Sequence, residues 1–155
     1  MSVGNIFAVT NQKGGVGKTT TTVNLAASLA DSGKKVLMID LDPQGKATTG
    51  CGIDKDAIET SSYDVIMAEA KASDAIIRPE GLGFDVMPTN TDLTAAEVQL
   101  LEIKLREHRL RLALESSKEK YDFILIDCPP SLSMLTVNAL VASKGVLIPI
   151  QCEYY

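Results

Sequence analysis

Five short apolar runs rich in Val and Ile, at 6–9, 36–39, 84–87, 123–126 and 146–150, recur along the chain. They are too short for helices and lack polar alternation, the pattern of strands buried on both faces of a parallel sheet. Between the first two lies 19–32, an Ala- and Leu-containing segment that Gly33 is expected to close as a helix, giving a strand, helix, strand unit. A longer helix is expected over 94–117, opened by a capping box of Thr94 and Glu97, with Leu101, Leu105 and Leu112 recurring at helical spacing. Its remaining face, with Lys104, Arg106, Glu107, His108, Arg109 and Arg111, is expected to be solvated. A last helix over 132–143 should be closed by Gly145, and the stretch 43–62 reads as the most loop-like. Strands alternating with helices in this way fold as a three-layer α/β architecture with right-handed crossovers.

The 155 residues suffice for one domain whose core needs neither metal nor disulfide. With 45% hydrophobic and 23% charged residues the composition is globular, which sets aside disordered and fibrous classes. Fifteen Lys and Arg against twenty Asp and Glu leave a net charge of -5, so this stretch offers no broad basic surface for nucleic acid. Cys51, Cys128 and Cys152 are odd in number, far apart and away from the single histidine, His108; they read as reduced cytoplasmic thiols. No apolar run approaches the roughly 20 residues that span a bilayer, and residues 1–12 lack the charged start and cleavage site of a signal peptide.

Directly after the first strand stands Lys13-Gly14-Gly15-Val16-Gly17-Lys18-Thr19-Thr20. Glycines let the backbone curl so that successive N–H groups point at one phosphate, and the following helix brings its positive N-terminus to the same anion. Lys18 can then reach the β- and γ-phosphates while the Thr19 hydroxyl ligates Mg²⁺. The pattern departs from the ordinary phosphate loop in one place: Gln12 stands where the first glycine would be, followed by a second lysine, Lys13.

The run 123–126 ends in Asp127-Cys128-Pro129-Pro130-Ser131. Apolar residues followed by Asp at a strand end form the Walker B arrangement, whose carboxylate binds Mg²⁺, usually through water. The run 36–39 leads into Asp40-Leu41-Asp42-Pro43-Gln44-Gly45. At the carboxyl end of a parallel strand these carboxylates face the ligand crevice, where one can orient a water for in-line attack or simply cap a turn.

The Lys-Gly-Gly-Val-Gly-Lys-Thr form resembles the deviant Walker A motif of the ParA/MinD superfamily of ATPases. Asp-Leu-Asp-Pro-Gln-Gly, Asp-Cys-Pro-Pro-Ser-Leu and the Gln-Cys-Glu-Tyr-Tyr of 151–155 look like its chromosome and plasmid partition branch, the ParA/Soj ATPases. Four motifs spread over nearly the whole chain carry the resemblance. One small departure is Lys46, where this branch commonly has Asn.

The resemblance implies a P-loop NTPase fold with sheet order 3-2-4-1-5, and a slow, Mg²⁺-dependent ATPase that acts as an ATP-dependent dimerising switch in partition. It implies that Lys13 reaches across a dimer interface to the partner's nucleotide, and that Gly14, Gly15, Val16, Gly17, Lys18, Thr19 and Thr20 hold the phosphates of ATP. It assigns Asp42 the attacking water and Asp40 a supporting place in the Mg²⁺ shell beside Thr19 and Asp127, with Pro129 and Pro130 stiffening switch II. Implied partners are a second copy of the chain, a ParB-like protein and non-specific DNA, the last through residues beyond 155, in a nucleoid-associated cytoplasmic setting without membrane.

A MinD-like division-site ATPase ranks second, because that branch usually lacks the Asp-Pro-Gln and Pro-Pro-Ser wording. An adaptor that binds ATP without appreciable hydrolysis is the alternative from another class, and the presence of Asp42 speaks against it. An iron-sulfur reductase would need cysteines at a different offset from Cys128. Family members continue beyond Glu-Tyr-Tyr, so residues 1–155 are expected to be the N-terminal part of a single ATPase domain, with the strand 146–150 an incompletely covered edge.

Overall fold

The computed structural model describes residues 4–11 and 17–150. Its strands are β1 (Asn5–Val9), β2 (Val36–Asp40), β3 (Asp85–Met87), β4 (Phe123–Asp127) and β5 (Gly145–Leu147). They form one parallel sheet in the order β3-β2-β4-β1-β5, as the resemblance implies. Burial grades across it. Every residue of β2 is buried and all of β4 but Phe123, whereas none of β5 is, with Val146 44% exposed. The expectation of burial on both faces therefore holds for the inner strands and fails at the β5 edge, which has a neighbour on one side only among the described residues.

Successive strand residues point to opposite faces. Leu37, Ile39, Ile124 and Ile126 enter one apolar core, and Val36, Met38 and Leu125 enter the other. The second core is roofed by helices α1 (Lys18–Asp31) and α2 (Lys46–Gly50) through Ala26 and Ala47. The first is roofed by α3 (Ser62–Ile66), α4 (Ala72–Ala75), α5 (Leu93–Gln99), α6 (Arg109–Leu114) and α7 (Met134–Ala142). Three layers result.

Helix α1 ends as expected: Gly33 takes φ 88, its N–H donates to the Ala30 carbonyl at 3.0 Å, and Lys34 N–H donates to Leu29 at 3.1 Å. That pair of bonds is a Schellman closure, open to glycine because the backbone there is left-handed.

The segment expected as one helix over 94–117 is instead broken. After α5 come a 3₁₀ turn at Leu100–Glu102, Leu105 in a left-handed conformation (φ 57), a 3₁₀ turn at Arg106–His108, and then α6. The cause sits on α7. Buried Asn138 donates to the Arg106 carbonyl at 2.7 Å and accepts the Leu110 N–H at 3.1 Å, so a side chain occupies the place of the Leu110-to-Arg106 rung of a continuous helix. The register shift exchanges the leucines: Leu100, Leu110 and Leu114 are buried, while Leu101, Leu105 and Leu112 are exposed. The Thr94–Glu97 capping box does not form either, because α5 already begins at Leu93 after Asp92 without a side-chain cap.

Two smaller differences have equally local causes. Gly145 does not close the preceding helix but opens β5 opposite Phe7, where an added Cβ would stand 2.8 Å from the Phe7 ring. The loop-like stretch 43–62 contains α2 and a 3₁₀ turn at Lys55–Ala57. It is organised by Gly45 (φ 65), which starts α2 and whose Cα faces the Lys55 stem, leaving no room for a side chain.

Candidate functional site

Three central strands end side by side: Val9 is in register with Asp127, and Asp127 with Asp40. The topology thus brings residues from four distant sequence positions to one edge of the sheet, the carboxyl end where α/β proteins hold ligands. Asp127 is fully buried at its centre. Its Oδ1 lies 2.7 Å from Lys18 Nζ and 3.2 Å from Thr22 Oγ1, and its Oδ2 accepts from Thr19 Oγ1 at 3.0 Å. Burial pushes its carboxyl upward, and the Lys18 ammonium pulls it back.

Lys18 is shared. Asp42 Oδ2 stands 3.7 Å from the same ammonium, while Asp42 Oδ1 accepts the Gln44 N–H at 3.0 Å. The Gly45 N–H closes onto the Asp42 carbonyl at 2.8 Å, with Pro43 at the second turn position, the residue whose fixed φ suits it. One oxygen of Asp42 therefore caps its own turn while the other faces the cation, so the two readings of this residue are compatible.

Asp40 is organised differently. Its Oδ1 accepts the Asp42 N–H at 3.1 Å, and its Oδ2 accepts both the Thr48 N–H at 2.8 Å and the Thr48 hydroxyl at 2.6 Å. Thr48 Oγ1 in turn accepts the Thr89 N–H at 3.0 Å. Complete burial pushes the Asp40 carboxyl up to about 7, against the Thr48 donors and with the Asp127 charge reinforcing the rise. Through these bonds Asp40 ties the loop that carries Asp42 to α2 and to the chain leaving β3.

Helix α1 starts at Gly17 in a left-handed conformation (φ 79) with no side-chain cap, so among the described residues no side chain caps its first-turn amides. Thr20 belongs to that first turn. Residues 12–16 lie outside the described residues, and with them Lys13, Gly14, Gly15 and Val16. Of the predicted set, the structure brings together Gly17, Lys18, Thr19, Asp40, Asp42 and Asp127.

Three residues that sequence reasoning passed over belong to the same network: Thr22, Thr48 and Thr89, all fully buried. Thr22 was findable, being four residues after Lys18 on the same helix face. Thr48 and Thr89 carry no sequence signal, since only the β2-β3 pairing brings them together.

An ammonium, a threonine hydroxyl, an uncapped helix start and a buried carboxylate are a donor set suited to a phosphate with Mg²⁺, a cation that keeps several waters and needs few protein oxygens. The described residues contain no cluster of three His, Cys, Asp or Glu side chains of the kind that cages a metal. Cys51 and Cys128 are buried free thiols, pushed up by burial to about 11 and about 12, which keeps them protonated and unreactive. Cys152 lies outside the described residues.

A family model described as an AAA domain matches residues 4–155. The sporulation initiation inhibitor protein Soj of Bacillus subtilis is 54% identical over 99% of this chain and 60% of its own length. The chromosome partitioning protein ParA of Caulobacter vibrioides is 49% identical over 97% of this chain and 57% of its own. Among solved structures, a cobyrinic acid a,c-diamide synthase from Mycobacterium smegmatis with bound ATP analogue and magnesium superposes with a TM-score of 0.94 at 43% identity, over 98% of this chain and 62% of that one. The chain thus spans about three fifths of the length of the relatives it matches.

Proposed function

The chain belongs to the AAA domain family, and on that premise we propose that it binds ATP with Mg²⁺ and hydrolyses it slowly, as the dimerising switch of a chromosome or plasmid partition system. The observation that carries the reading is the convergence of Lys18, Thr19, Asp42 and Asp127 at one strand edge. Bound Mg²⁺ would neutralise phosphate charge and order the γ-phosphate for in-line attack. Lys18 would serve the β- and γ-phosphates, Thr19 and Asp127 would hold the metal and its water, and the amides of Gly14, Gly15, Val16, Gly17 and Thr20 would hold phosphate oxygens. Asp42, freed from Lys18, orients the attacking water, while Asp40 fixes the Asp42 loop and so supports the Mg²⁺ side of the site.

Lys13 acts across the dimer, adding a second cation near the γ-phosphate that the local lysine does not supply. A ParB-like protein and DNA are the partners of this reading, in a nucleoid-associated cytoplasmic role. Among the described residues no helix is long and apolar enough to cross a membrane. The synthase activity in the name of the Mycobacterium smegmatis neighbour is set aside for this chain, since identity to Soj and ParA is higher and Asp42-Pro43-Gln44 and Pro129-Pro130-Ser131 carry the partition wording.

Asp42→Ala in the complete protein tests the reading. Calorimetry should show ATP bound as in the parent, while phosphate release falls by roughly two to three orders of magnitude, the scale of losing one well-placed catalytic group. Unchanged release would remove Asp42 from catalysis.

A further inference from the structure

Thr22 is fully buried beside Asp127, and its single hydroxyl proton has two acceptors within reach. The Lys18 carbonyl stands 2.8 Å from Thr22 Oγ1, and Asp127 Oδ1 stands 3.2 Å from it. One hydroxyl donates to one acceptor at a time, and the distances favour the carbonyl. That bond adds little, because the helical ladder already supplies this carbonyl with the Thr22 N–H. Asp127 Oδ1 is meanwhile held by Lys18 Nζ at 2.7 Å. Among the described residues, Lys18 and Thr22 are the only donors within hydrogen-bond distance of that oxygen. A buried carboxylate oxygen that loses one donor is costly until it gains another. Lys18 reaches Oδ1 on a flexible four-carbon stem, whereas Thr22 is fixed one turn further along the same face of α1.

We propose that Thr22 is a positioning residue of the nucleotide site. As the Lys18 ammonium turns from Asp127 to phosphate, the Thr22 hydroxyl turns from the Lys18 carbonyl to Asp127 Oδ1 and takes over as its donor. Held there, the carboxylate keeps Oδ2 beside the Thr19 hydroxyl, 3.0 Å away, on the side where Mg²⁺ would be bound. Thr19 cannot take this part itself, since it holds the opposite oxygen. The departure of Lys18 rests on the ATP-binding reading, but the replacement of one donor by the other does not.

Two measurements on the complete protein test the proposal separately from that reading. The first uses no nucleotide. Thr22→Val should lower the melting temperature little in the parent, where Lys18 holds Oδ1, and clearly more in Lys18→Met, where that oxygen has no other donor. Thr22→Ser, which keeps the hydroxyl, should be nearly neutral in both backgrounds. Equal losses from Thr22→Val in the two backgrounds overturn the proposal. The second is calorimetry with Mg²⁺ and a non-hydrolysable ATP analogue. Thr22→Val should bind the analogue about tenfold or more weakly than the parent, the scale of one hydrogen bond to a charged group, and Thr22→Ser should restore the affinity. Thr22→Ala repeats both measurements without the methyl that stands in for the hydroxyl in Val, and should behave as Thr22→Val does. Parent-like affinity of Thr22→Val and Thr22→Ala, or equal weakening by Val and Ser, overturns the proposal. Failure of the parent itself to bind the analogue overturns the ATP-binding reading, and the melting comparison still decides the role of Thr22.

Discussion

The strand edge around Asp127 follows from a short apolar run ending in Asp and the helical stretch around Leu105 from leucine spacing, yet only the first folds as that pattern implies. At the strand edge, an apolar run leaves one position for the carboxylate, and pairing with β1 and β2 on both sides locks the register. A one-residue slip would carry Asp127 out of reach of Lys18 and Thr19, so the carboxylate at the end of the run constrains the register. In the helical stretch the leucines at 100, 101, 105, 110, 112 and 114 permit more than one buried face. The choice is made by Asn138, a residue of another helix, which replaces one rung of the helical ladder. A short apolar run ending in a carboxylate, with a strand on either side, specifies structure locally, whereas 3.6-period patterns rich in leucine leave the decision to tertiary contacts.

The sharpest test of the strand edge removes its cation. Lys18 and Asp127 form a nearly solvent-free pair at 2.7 Å with Asp42 close by, so Lys18→Ala leaves buried carboxylates facing each other. Breaking a buried pair by deleting one partner costs about 3–5 kcal/mol. The nucleotide-free variant should melt far below the parent in calorimetry and should also fail to bind ATP. A parent-like melt would mean that the edge is held by strand pairing alone.

The corresponding test in the helical stretch is Asn138→Ala. It withdraws the bonds to Arg106, Leu110 and Met134 from a fully buried place. Unsatisfied buried groups cost about 1–3 kcal/mol each, but the Leu110-to-Arg106 rung can then close on itself, so a net loss of about 2–3 kcal/mol is expected in denaturant unfolding. A neutral result would show that the break at Leu105 has another cause.

What was legible follows the same division. The sheet order and the motif residues Lys18, Thr19, Asp42 and Asp127 could be read, the order through family resemblance, because strand-end chemistry sits beside its own signal. The threonines that hold Asp40 could not, since Thr48 and Thr89 meet only once β2 and β3 have paired.

Asp40 sharpens the electrostatic side of the comparison. Its folded pKa of about 7 lies above the ordinary 3.8, so the folded state holds the proton more tightly than the unfolded one. Its contribution to stability is complete below about pH 4 and is lost as pH rises toward 7, with a slope approaching about 1.4 kcal/mol per pH unit. Unfolding of the Mg²⁺-free protein across this range should therefore show a downward component that is absent from Asp40→Asn, whose side chain does not titrate. Parallel curves for the two proteins would place the Asp40 carboxyl in its ordinary range.

The smallest effect gives the most direct decision on the helical stretch, because its sign alone is informative. Leu105 has φ 57 and is 62% exposed, so its side chain contributes little burial and its backbone sits where a Cβ is disfavoured. Replacing it by Ala and by Gly removes almost the same apolar contact, and the difference between the two variants isolates the backbone. In the left-handed conformation Gly should be the more stable of the pair by about 1 kcal/mol, since only the Cβ makes that region costly. In a continuous helix the order reverses, with Ala ahead by about 1 kcal/mol from intrinsic propensity. Chemical denaturation of Leu105→Ala and Leu105→Gly side by side reads the sign: Gly ahead upholds the break at this residue, and Ala ahead restores the unbroken helix that leucine spacing alone would give.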